Sequence, residues 1–247
     1  MTTPNAPRTA RERARAELTR EIKEAARRQL AAVGADGLSL RAVSRELGMV
    51  SSALYRYYPS RDDLLTALII DAYNALGKAA ETAIADAGPG ASRVRWVAAC
   101  HAIRAWAVAN PHEYALIYGS PVPGYRAPEA TIGPAARVPL AFVGVLADAV
   151  AAGEVAAGPD RDAGIDDALA DQAAVLLAAL AVGPAVPDAP AVSAIPADVL
   201  VRAVIAWTQL FGMISFELFG QFVGSFEPAD GLFAHGVAQI AAFVGIR

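Results

Sequence analysis

The side chains best suited to chemistry crowd one short segment, where Ser51, Ser52, Tyr55 and Tyr57 supply hydroxyls and Arg56 a guanidinium. Only Leu54 and Tyr58 there have the spacing of a buried helix face, so a helix of about two turns would leave most of its side chains outside. Hydrogen-bond donors and acceptors on a short exposed helix suit the major groove of DNA, the groove that admits a helix and displays distinguishable base edges. A different chemistry is conceivable at Cys100, His101 and His112. No acidic residue sits beside them at helical spacing, and a cysteine next to a histidine on an apolar helix is usually core. No catalytic residue, metal site or cofactor is therefore expected.

The elements that must present the exposed helix are legible around it. Ser39 caps a helix whose Leu40, Val43 and Leu47 form an apolar stripe, leaving Arg41 and Arg45 outside, and Gly48 breaks it. The second helix follows at about 51–57, and residues 38–65 as a whole read as helix, tight turn, helix. Upstream, residues 12–33 form a helix with Leu18, Ile22, Ala26, Leu30 and Val33 on one face, ended by Gly34. Downstream of Pro59, Ser60 and Asp63 make a capping-box start for a helix reaching about Ala85, with Leu65, Leu68, Ala72 and Leu76 on one face. Gly88-Pro89-Gly90 then marks a domain boundary.

The charge is divided along the chain. Residues 1–61 hold 12 Lys and Arg against 6 Asp and Glu, a net of +6, and the remainder 9 against 19, a net of −10, which sum to the overall −4. A basic amino-terminal segment coinciding with a helix-turn-helix points to a polyanionic partner at that end. The arginine-rich start (Arg8, Arg11, Arg13, Arg15) reads either as a solvated tail or as an extension reaching the minor groove or phosphates. One cysteine excludes an internal disulfide framework and fits a reducing cytoplasm, and the polar amino terminus shows no secretory signal. The longest apolar stretches, Ala173–Val186 and Ala203–Phe216, fall short of a membrane span, so no membrane partner is expected.

Beyond the boundary the chain remains helical, at about 91–109, a short piece from His112, 135–152 and 166–181. A Pro-rich loop lies at 120–134, a Gly/Asp-rich turn at 158–164 and an irregular Pro/Ala connection at 183–196. A helix at about 197–222 carries Leu200, Val204, Trp207, Phe211, Ile214 and Leu218 in a packing seam, with Val201, Ile205, Met213, Phe216 and Phe219 on other faces. The last helix, 229–245, repeats the theme with Phe233, Val237, Ile240 and Val244. Excess apolar surface on two adjacent helices, with Gly212, Gly220 and Gly236 allowing close approach, predicts a homodimer. Leu200, Val204, Phe219, Phe233, Val237 and Ile240 are the expected interface.

Residues 12–76 resemble the DNA-binding domain of TetR-type transcriptional repressors, through the leading helix, the capped GLSLRAVSRELG, the turn, ALYRYY as the recognition element and the SRDDLL opening of the fourth helix. The segments NPHEYALIYGSPVPGY and WTQLFGMISFELFGQF resemble a subgroup of that family with a so-called WHG carboxy-terminal domain. The resemblance implies an all-α protein: a basic tail over 1–11, a three-helix helix-turn-helix DNA-binding domain over 12–61, a connecting helix over 62–87, and a larger regulatory and dimerisation domain over 88–247. It further implies a cytoplasmic homodimer on a pseudopalindromic double-stranded operator. Ser39 and Arg61 fall at its phosphate-contacting positions, and Arg41, Ser51, Ser52, Ala53, Tyr55 and Tyr57, beside Arg56, at positions facing bases or adjacent backbone. One departure is Val50, which stands where the family usually has a capping Ser or Thr, so capping and base contact compete for the Ser51 hydroxyl. The family's regulatory domain encloses an effector pocket. Trp96, His101, Trp106, Tyr114, Tyr118, Trp207 and Phe211 are the candidate lining for an apolar or amphipathic small molecule.

The expected function is a ligand-responsive transcriptional regulator, most readily a repressor. Two competing readings are an α-helical carrier or enzyme for an apolar small molecule, which would not bind DNA, and an architectural protein, which would bind it without sequence preference.

Overall fold

A computed structural model of the chain describes residues 9–156, 164–182 and 192–247. The expected tail up to Arg8, most of the turn at 158–164 and the Pro/Ala segment up to residue 191 lie outside the described residues. The helices are α1 (Ala10–Val33), α2 (Leu40–Glu46), α3 (Ser51–Leu54), α4 (Arg61–Asp86), α5 (Ser92–Ala109), α6 (Pro111–Tyr118), α7 (Ile132–Ala151), α8 (Asp167–Val182), α9 (Ala197–Leu218) and α10 (Asp230–Val244). The described residues form no strand. A single antiparallel bridge pairs Val155 with Ile246, and the protein is all-α as expected.

Two differences from the expected elements have clear causes. α1 starts at Ala10 because Thr9 and Glu12 form a capping box, so Arg11, Arg13 and Arg15 are helical rather than part of a tail. α3 is a single α-turn, with Arg56 and Tyr57 bonding three residues back, to Ala53 and Leu54, so the segment tightens beyond Leu54.

The chain folds into two compact units, and the division does not follow the expected linear split. One unit takes the residues up to Ala72 together with 112–132; the other takes 73–111 and 133–247. Residues 112–132 join the first unit for identifiable reasons. Tyr114 of α6 is fully buried, Arg27 Nε holds Glu113 at 2.9 Å, and the Thr66 and Tyr125 hydroxyls share a 2.8 Å bond. The Arg27 guanidinium also meets Asp71 at 2.9 Å, and Lys23 takes the other oxygen of that carboxylate at 2.9 Å. This network joins α1, α4 and α6. The core of the unit is built from Ile22, Ala26 and Leu30 of α1, Leu40 and Val43 of α2, Leu54, Tyr58, and Leu64, Leu65 and Leu68 of α4. Val33, expected on the buried face of α1, is exposed because the helix ends there.

In the second unit arginines close the end of α10. Arg202, nearly buried, donates to the Val244 carbonyl at 2.7 Å, and Arg93 donates to the Ile246 and Ala238 carbonyls. Cations there complement the negative end of the helix dipole. Gly245 at φ 94° lets this closure form, since a Cβ would lie 2.8 Å from Arg202 Nη1. Two helical stretches, Glu129–Ala151 and Ala197–Leu218, are long and apolar enough to cross a membrane by length and composition, which the sequence stretches alone did not suggest. Both are interrupted by committed polar groups. Arg137 of the first grips Glu81, and Arg202 and Glu217 of the second enter ion pairs.

Candidate functional site

The helix-turn-helix is assembled from α2, the turn and α3. Gly48 takes φ 64°, a conformation costly for residues with a Cβ, and Met49 then donates its N–H to the Ser44 carbonyl at 2.8 Å. Leu54 is the buried residue of α3 and its anchor. Ser52, Tyr55 and Arg56 are exposed, while Ala53 and Tyr57 are half-buried; Tyr55 remains 43% accessible. Arg41 of α2 is exposed as well. These side chains form one outward face with the hydroxyls and guanidinium groups that base edges and phosphates require.

Val50 occupies the cap position of α3 without a side-chain bond and is 70% exposed. Ser51 does not replace it as the cap. Its hydroxyl lies 3.1 Å from that of Ser44, which donates to the Arg41 carbonyl at 3.0 Å, so Ser51 is the donor between the two hydroxyls. Ser51 thus fastens α3 to α2. Ser44 was missed in the sequence, although with Leu40, Val43 and Leu47 it completes the i, i+3, i+4, i+7 pattern of a buried stripe. Replacing Ser44 and Ser51 by alanine, singly and together, is expected to cost about 1 kcal/mol for each single change. The double variant should lose less than the sum, a coupling that denaturant melts would read.

Ser39 and Arg61 are placed differently from one another. The Ser39 backbone N–H is taken by Gln29 at 3.3 Å, and its hydroxyl makes no capping bond at the start of α2. Arg61 turns Nε and Nη2 onto the carbonyls of Leu38, Ala35 and Asp36, at 3.2, 2.7 and 3.3 Å. It braces the loop between α1 and α2 against the start of α4. That start has the expected box: the Ser60 N–H donates to Asp63 Oδ2 at 3.0 Å and the Asp63 N–H to Ser60 Oγ at 3.1 Å.

The second unit contains an apolar cavity of about 310 Å3. Of the seven candidate lining residues it takes two, Trp96 and Trp207, and adds Cys100, Phe142, Leu146, Leu200 and Leu210. Phe142 joins the indoles, with ring centroids 4.5 Å from Trp96 and 6.2 Å from Trp207. Phe211 is buried against Trp207, outside the lining. His101 is exposed at the edge of the Phe233 ring, and the Trp106 carbonyl accepts from Asn110 away from the cavity. Tyr114 and Tyr118 stack on each other in the first unit. Aromatic character alone could not separate these roles, because core and cavity use the same side chains. Burial pushes the Cys100 thiol well above its usual range, so it stays neutral. Among the described residues no charged side chain lines the cavity, and the indole N–H of Trp96 is buried without a hydrogen-bond partner. Among the described residues no cluster of metal-ligating side chains occurs.

The expected interface residues separate sharply. Leu200, Phe233, Val237 and Ile240 are buried within the protomer, Ile240 also lining a groove between α9 and α10, whereas Val204 and Phe219 are half-exposed. Ile205 and Phe216 of α9 are exposed as well. Phe216 lines the groove together with Gln209, Gly212, Met213, Phe222 and Gly236. A seam at heptad-like spacing describes packing inside one chain as well as packing between two.

Comparisons with known proteins match both parts of the chain, the second match running through residues 112–132 that the structure places in the first unit. The model of bacterial regulatory proteins of the tetR family matches residues 22–68, and that of the tetracyclin repressor-like C-terminal domain matches residues 96–240. HTH-type transcriptional regulators of Mycobacterium bovis and Mycobacterium tuberculosis are each 42% identical over 215 residues, spanning 85% of this chain and 84% of theirs. The solved structure of a regulatory protein, SCO4313, is 35% identical with a TM-score of 0.69, covering 95% of this chain and all of that one. A Rhodococcus protein of unknown function shares the fold at 22% identity and a TM-score of 0.63, over 98% of this chain and 97% of its own.

Proposed function

We propose that this chain, which belongs to the TetR family of DNA-binding transcriptional regulators, is a homodimeric repressor released from a pseudopalindromic operator by an uncharged apolar small molecule. The cavity beside Trp96, Phe142 and Trp207 carries this reading. It is large enough for a two- or three-ring molecule and lacks any charge to recognise an ionic one. The Trp96 indole N–H is buried there without a hydrogen-bond partner.

DNA is read by the outward face of α2 and α3, with Arg41 suited to guanine O6 and N7, Ala53 to a thymine methyl, and Ser52, Tyr55, Arg56 and Tyr57 to bases or flanking phosphates. Ser39, with an uncommitted hydroxyl at the start of α2, fits a phosphate contact. Arg61 serves chiefly as a brace, and Ser51 as a fastener. The exposed groove between α9 and α10 suits a second copy of the chain, since it is apolar, is edged by Phe216 and Phe222, and is open at Gly212. Two recognition faces then address successive major grooves about 34 Å apart. Effector binding favours a dimer with a different spacing, and DNA affinity falls by the differential affinity of the effector for the two states. Such a regulator acts in the cytoplasm, with no membrane partner.

Neutral N-phenylnaphthylamine and its charged relative anilinonaphthalene sulfonate test the effector class. The neutral probe is expected to bind at least tenfold more tightly, quench the tryptophans and lower the anisotropy of labelled operator DNA. Tighter binding of the sulfonate, or binding that leaves DNA affinity unchanged, would reject an uncharged apolar inducer at this site.

A further inference from the structure

We propose that the first two turns of α1 form a phosphate clamp beside the recognition helix, with Arg11 and Arg15 gripping the DNA backbone next to the groove that α3 enters. The proposal rests on the DNA-reading role of α2 and α3. At the 100° per residue of an α-helix, Arg11, Arg15, Leu18 and Ile22 fall within about 60° of one another, one continuous stripe. Ile22 is fully buried and Leu18 half-buried, whereas Arg15 and Arg11 are exposed. The face that packs on the core therefore continues past the edge of the core and changes from apolar to cationic.

What lies past that edge is indicated by Tyr57. The Arg15 guanidinium sits over the Tyr57 ring, 5.3 Å from its centroid, which places it on the DNA-reading side of the unit. The cations farther along α1 are engaged: Arg20 with Glu17 and Glu24, Lys23 and Arg27 with Asp71, and Arg28 with Glu46. Among the described residues, Arg11 and Arg15 take part in no such pair. The Thr9–Glu12 capping box holds these turns helical, and that decides which part of DNA they can reach. A helix about 10 Å across does not enter a minor groove about 6 Å wide, so the arginines meet phosphates along its rim rather than base edges. Arg13 points to the opposite side of α1 and takes no part.

The test is the salt dependence of binding to a mixed-sequence DNA duplex about three helical turns long, read by fluorescence anisotropy. Each lost phosphate contact lowers the slope of log K against log salt by about 0.9, so R11A/R15A should lose about 3 to 4 across the dimer. Each single variant should lose about half as much, and Arg13→Ala nothing. Circular dichroism controls for folding, and alanine is a good residue at exposed helical positions. An unchanged slope in the double variant overturns the proposal. Weaker binding at unchanged slope overturns it too, because Arg15 would then act only by supporting Tyr57. A shallow slope in the unaltered protein would instead contradict the DNA-reading role, and this proposal with it.

Discussion

Leu54→Ala is expected to cost about 2 to 5 kcal/mol in stability and to abolish specific DNA binding, while leaving the apolar cavity of the other unit able to take ligand. α3 has four residues, far too few to persist as an isolated helix. Its position depends on burying Leu54, which is completely inaccessible, and on the Ser44–Ser51 bond. Truncating Leu54 removes the larger of the two supports and leaves a void in a small core. Leu54→Met, which roughly conserves volume, should cost less than about 1.5 kcal/mol and retain DNA binding. Thermal melts together with anisotropy of labelled operator separate these outcomes. Preserved operator binding in a folded Leu54→Ala protein would show that the recognition element is held by something else.

Arg104→Ala should be the most damaging single change in the second unit. The guanidinium donates to both oxygens of Glu217, at 2.7 and 2.6 Å, and to Asp230 at 3.0 Å, and stands 5.0 Å over the Phe233 ring. It therefore ties α5 to the end of α9 and the start of α10. The Arg104 and Glu217 side chains are only 15% and 20% accessible, so removing the cation leaves a poorly solvated carboxylate unpaired, at about 2 to 4 kcal/mol. The hydrogen bond from Arg104 also holds the Asp230 carboxyl below the usual aspartate range. A depressed folded value means this contribution is present at neutral pH and is lost as the pH falls through that value, below about pH 4. Denaturant melts should thus show a gap between the unaltered protein and Arg104→Ala that is full at pH 7 and narrows on acidification. A pH-independent gap would mean that Arg104 acts through packing on Phe233 alone.

The parts of this structure legible in the sequence are those specified locally. The buried Leu40 and Val43, with Leu47 half-buried at the end of α2, the Gly48 break and the Ser60–Asp63 box each depend on residues within one or two turns. The parts that were not legible depend on partners far along the chain. Residues 112–132 pack with the first unit through Glu113 and Tyr125, whose partners Arg27 and Thr66 are 86 and 59 positions away. Arg61 turns to carbonyls more than 20 positions upstream rather than outward, which no local pattern announces. The cavity gathers Trp96, Phe142 and Trp207 from three helices, and without the fold they resemble any other buried aromatics.

The central claim is that a paired helix-turn-helix reads a discrete operator and that occupancy of the apolar cavity releases it. Footprinting the purified protein on the DNA flanking its own gene, with and without N-phenylnaphthylamine, tests this most directly. The predicted result is two protected patches related by a pseudopalindrome, with centres about one helical turn or a whole multiple of it apart, that disappear at ligand concentrations saturating the tryptophan signal. Uniform cleavage along the fragment, or protection that persists with the cavity filled, would contradict it.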